Sequence, residues 1–100
     1  MENLGFAQVP YAQASKDPNF TTLTKGWSKP QAYRQAFDGT SVSVYSTAKG
    51  WVALTVGVQT SPYPSGPIAL RALCAKLRVS GDEDYKKLAS LLNEAITGQL

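Results

Sequence analysis

The chain predicts an α+β domain: a small antiparallel sheet built on a central hairpin (41–60), a short helix before it (28–38) and two C-terminal amphipathic helices (67–78 and 81–97). Three observations predict this. Residues 41–60 alternate apolar and polar on both sides of a Gly-containing segment, which is the pattern of two strands joined by a turn. Residues 61–67, Ser-Pro-Tyr-Pro-Ser-Gly-Pro, hold three prolines and a glycine, and such a run ends the strand region. From Ile68 onward the apolar residues recur at helical spacing.

Within the hairpin, the expected buried face is Val42, Val44, Val52, Leu54, Val56 and Val58. The opposite face carries Ser41, Ser43, Tyr45, Trp51, Ala53, Thr55 and Gly57. Thr47-Ala48-Lys49-Gly50 is not one of the two-residue turn sequences that pin a register, so the pairing of the two strands stays open at this point.

Before the hairpin, Ser28 suits an N-cap and Pro30 a first helical turn. Tyr33 and Phe37 are four apart and share a helical face, and Asp38-Gly39 can end the helix. Residues 1–26 read either as edge strands or as an extended arm. Leu4, Phe6, Val9 and Tyr11 alternate in part, Pro10 interrupts them, and Phe20 to Thr24 is a β-prone run after a turn cluster.

After the breaker, Ile68, Leu70, Leu73, Cys74 and Leu77 form the apolar face of one helix. Ser80 and Glu83 have capping-box spacing, which explains the acidic cluster Asp82-Glu83-Asp84 without a metal or a catalytic role. Leu88, Leu91, Leu92, Ala95 and Ile96 form the stripe of the last helix, with Gly98 as its stop.

One hundred residues make a single domain, 1–100. Hydrophobic residues are 43% of the chain, enough for a core. Charged residues are 17%, below the usual quarter, so the surface is cheap to desolvate and suits a partner or further copies of the chain. The net charge is +3, and between Lys16 and Arg78 the only acids are Asp17 and Asp38. That basic body attracts polyanions. One cysteine, Cys74, forms no internal disulfide and fits a reducing compartment. The N-terminus lacks the pattern of a secretory signal, and no apolar run approaches the ~18 residues that span a bilayer. These features lead us to expect a cytoplasmic protein of a microbe, a phage or a plasmid.

The chain has no histidine, no Cys-x-x-Cys and no Gly-rich phosphate loop. That argues against the commonest acid–base, thiolate and nucleotide chemistries, and we expect no catalytic residue, metal or cofactor. The positive signal is a mixture of basic and aromatic residues: Lys25, Trp27, Lys29, Arg34, Tyr45, Lys49 and Trp51. Exposed on a sheet face, they would make a stacking platform for single-stranded nucleic acid. The expectation is therefore a non-enzymatic, nucleic-acid-binding module that forms a homo-oligomer. The alternative is a protein-interaction or assembly subunit, such as a viral coat-type protein or an inhibitor docking on a larger enzyme. No family motif chooses between them.

Overall fold

The computed structural model describes residues 1–97. A 3-10 turn, Glu2–Leu4, leads into strand β1 (Ala7–Val9). Two short helices follow, α1 (Tyr11–Ala14) and α2 (Pro18–Leu23). Four more strands come next: β2 (Gln31–Phe37), β3 (Thr40–Thr47), β4 (Gly50–Thr55) and β5 (Val58–Gln59). Helices α3 (Gly66–Arg78) and α4 (Glu83–Thr97) complete the domain. The five strands form one antiparallel sheet in chain order, β1-β2-β3-β4-β5. This is the expected α+β class, with a short helix before the central hairpin and two helices after it.

The short helix lies at Pro18–Leu23, however, and residues 28–38 are not helical. Tyr33 and Phe37 do share a face, but as alternate residues of β2, with Ala32, Arg34 and Ala36 on the other side. Asp38-Gly39 is a two-residue hairpin turn rather than a helix end. Both residues have positive φ, 52° and 84°, as the turns that match strand twist require. The β-prone run at Phe20 is instead the body of α2. Its start is set by the Asp17 carboxylate, which accepts from the Asn19 N–H at 2.9 Å, and by Pro18 in the first turn. Part of the N-terminal segment is an edge strand, and Pro10 follows its last residue.

The valines of the central hairpin do not share one face. The turn is Ala48-Lys49, so Thr47 pairs with Gly50 and Val44 with Ala53. An even-length turn sets even positions of β3 opposite odd positions of β4. Val42 and Val44 therefore join Trp51 and Ala53 on the front, while Val52 and Leu54 join Tyr45 on the back. Val56 lies beyond β4 and is 74% exposed; Val58 is half-buried on the front.

Helices α3 and α4 pack as an antiparallel pair over the front face. Leu70, Leu73, Cys74 and Leu77 of α3 and Leu88, Ala89, Leu92 and Ile96 of α4 bury against Val42, Val44, Ala53, Phe6 and Phe37. Ile68, expected on this face, is 42% exposed. Helix α2 crosses the back, where Phe20 packs edge-on against Tyr45 beside Ala14, Ala32 and Leu54. Ser65 caps α3, and its oxygen accepts from the Ile68 N–H at 3.3 Å.

The cap of α4 is Asp82, not Ser80. Its carboxylate accepts from the Asp84 N–H at 2.8 Å and its carbonyl from the Lys86 N–H at 3.1 Å. The Ser80 oxygen accepts from the Asp82 N–H at 3.1 Å, one step upstream of the capping-box geometry. Asp82→Ala is expected to cost about 1 kcal/mol in urea unfolding, and Ser80→Ala under about 0.5 kcal/mol. The reverse order would restore Ser80 as the cap. Gly98, the expected helix stop, lies outside the described residues.

A candidate binding groove on the back of the sheet

The back face is only partly covered by α2, and a groove of about 410 Å³ remains between this helix and the end of the central hairpin. Leu23 and Pro62 supply its apolar surface, and the buried Val52 also lines it. Lys25, just past α2, and Lys49, at the tip of the β3–β4 turn, are its charged residues, and no acid lines it. Among the described residues neither lysine has an acidic partner within ion-pair distance.

Local chemistry fixes the groove's end. The Thr47 hydroxyl donates to the Gly50 carbonyl at 2.7 Å and accepts from the Lys49 N–H at 3.2 Å, so the tip carrying Lys49 is tied to the strand ends. The opposite wall runs along β4. Thr60 is buried, its Oγ1 accepts from the Ala53 N–H at 3.0 Å, and Tyr63 exchanges both backbone bonds with Trp51 at 2.7 and 2.8 Å. Gly50 permits that close approach, because a Cβ there would stand 2.6 Å from the Tyr63 carbonyl oxygen.

A second hollow of about 380 Å³ lies on the same face near Asp17, Arg34 and Ser43. Tyr45 donates its phenolic proton to Asp17 Oδ2 at 2.8 Å, Arg34 Nε donates to Ser43 Oγ at 3.3 Å, and the guanidinium lies 3.9 Å from Asp17. Burial first, and then the Asp17 carboxylate beside it, pushes the Tyr45 hydroxyl above its ordinary value. The unfolded chain thus releases this proton before the folded one does. Tyr45 therefore contributes stability that is fully present below about pH 10 and is lost as pH rises through the elevated folded value. In urea midpoints measured from pH 8 to 12, Tyr45→Phe is expected to flatten part of that alkaline decline. An unchanged slope would remove Tyr45 as its source.

The seven residues singled out by sequence divide into four places. Lys25 and Lys49 meet at the groove. Tyr45 and Arg34 lie on the same back face but serve the Asp17 cluster, and Tyr45 is 1% exposed. Trp51 is on the front, tilted against Tyr33 at 6.1 Å between centroids, and Trp27 donates its indole N–H to Ser46, the cross-strand neighbour of Trp51, at 3.2 Å. Lys29 is exposed in the loop before β2. The open aromatic platform is thereby corrected: Tyr45 and Trp51 point to opposite faces, and neither is free for stacking on a shared surface. Sequence reasoning missed Leu23, Val52 and Pro62, since their meeting depends on α2 and on the parity of the turn.

Among the described residues no group of three or more His, Cys, Asp or Glu side chains could hold a metal ion, and no helix is long and apolar enough to cross a membrane. The free Cys74 is buried, and its thiol donates to the Ala89 carbonyl at 3.2 Å. No family model, no curated protein and no solved structure matches the chain.

Proposed function

We propose that this chain is a non-enzymatic binding module that engages an anionic partner through the groove between α2 and the β3–β4 turn. The observation that carries the reading is the pairing of Lys25 and Lys49 over an apolar surface with no acid among the lining residues. Unneutralised cations beside a low-dielectric wall concentrate field and attract negative charge, while the apolar surface gives contact that salt does not screen. A cytoplasmic setting fits the buried free thiol of Cys74.

The test is charge reversal at the groove and away from it. In fluorescence anisotropy with labelled anionic probes, a poly-glutamate peptide and a mixed ten-nucleotide single strand, K25E/K49E is expected to weaken whichever probe binds by roughly tenfold. K16E/R71E, which has the same net charge but changes residues outside the groove, is expected to weaken it far less. Equal losses in both variants would mean that the overall charge attracts the probe and the groove does not.

A further inference from the structure

We infer that the groove takes an extended acidic peptide segment, with aliphatic side chains between its Asp or Glu residues. The inference rests on the reading that this groove is the binding site and adds the chemistry of what fills it.

Charge gives the first half of the match. Lys25 and Lys49 stand at one end of the back face, and Arg34 lines the hollow farther along. A small hollow between them shares Gln59 with the first and Asn19 with the second, so the three neighbour one another in a row on this face. The trough they make therefore follows β4, a strand of six residues that spans roughly 20 Å. An extended peptide of about six residues covers that length. The carboxylate along it, Asp17, is engaged by the Tyr45 hydroxyl, the Asn19 N–H and the Arg34 guanidinium at 3.9 Å, so Lys25 and Lys49 carry the unanswered charge of the trough.

Shape and surface give the second half. A nucleic acid binding without sequence preference needs rings on which its bases stack. The Lys25 end has no aromatic lining residue, and the one ring along the trough, Tyr45, is buried with its hydroxyl committed. Half-buried Leu23 and exposed Pro62 offer instead an aliphatic surface, which accepts a Leu, Ile or Val side chain. An acidic residue on either side of that anchor would then reach Lys25 and Lys49.

The experiment pans a display library of random decapeptides against the immobilised full chain. The most enriched sequence is then measured by anisotropy against the wild type, K25E/K49E and K16E/R71E, each checked for native circular dichroism. Enrichment of peptides with Asp or Glu flanking an aliphatic residue, with binding roughly tenfold weaker in K25E/K49E alone, is the expected result. A mixed ten-nucleotide single strand is measured in parallel. If the oligonucleotide binds in a Lys25- and Lys49-dependent way and no acidic–aliphatic peptide is enriched, the peptide inference fails and the groove reading stands. If every probe that binds does so as well to K25E/K49E as to the wild type, or if neither probe binds, both fail.

Discussion

Tyr45→Ala is expected to destabilise the domain by about 3–5 kcal/mol, the range for removing a fully buried aromatic side chain. Tyr45 is among the largest fully buried side chains of the chain, and Phe20 meets it edge-on with the ring centroids 5.1 Å apart. The substitution removes that aromatic pair, opens a cavity under α2 and leaves Asp17 without the phenolic donor. Against the 5–15 kcal/mol that holds a typical domain together, this is a large share. Tyr45→Phe keeps the ring and loses only the hydrogen bond, so about 1–2 kcal/mol is expected, Asp17 being partly solvated. Urea midpoints for both variants test the assignment. Equal effects would mean that the hydrogen bond, and not the ring, is what α2 depends on. A cost under about 1 kcal/mol for Tyr45→Ala would mean that α2 does not cover the sheet.

Gly50→Ala is expected to cost about 2–4 kcal/mol. Its φ of +133° disfavours any L side chain, and the added Cβ would meet the Tyr63 carbonyl oxygen at 2.6 Å. Either the turn or the Trp51–Tyr63 bridge has to give way, with loss of one or both backbone bonds. Gly39→Ala is the matched control. It has φ of +84° but open space around the Cβ, so only the conformational term of about 1 kcal/mol applies. The difference between the two melts isolates the steric contact. On the proposed function, Gly50→Ala should also weaken probe binding, since Pro62 adjoins Tyr63 and lines the groove. Similar costs for the two variants would show that segment 61–63 moves aside freely.

The helices of the C-terminal half were legible because their apolar residues repeat at 3.6 and a proline-rich breaker precedes them. Leu70, Leu73, Leu77, Leu88 and Leu92 are all buried as their spacing predicts. The first half was harder for two local reasons. Tyr33 and Phe37 satisfy both periods at once, being four apart and separated by an even number, and only the Asp38-Gly39 turn decides between them. Val42, Val44, Val52 and Leu54 read as one face only if the turn holds an odd number of residues; Ala48-Lys49 holds two. That single parity sends Tyr45 inward under α2 and Trp51 to the front. It accounts for the loss of the expected aromatic platform. Lys25 and Lys49 were legible as exposed cations, but the apolar surface between them was not, because it is assembled from three separate segments.

The strand order of the sheet has a consequence for how the chain reaches this state. Strands β2 to β5 lie beside their chain neighbours and are joined by two-residue turns. Helices α3 and α4 pair across a short link. Four strands can therefore zip outward from the Ala48-Lys49 turn with little loop-closure entropy at each step, and the helix pair can form independently before docking. Among the strand pairs the one long closure is β1 onto β2, across the segment that holds α1 and α2. The burial of Tyr45 under α2, and with it the groove between α2 and the β3–β4 turn, depends on that same closure.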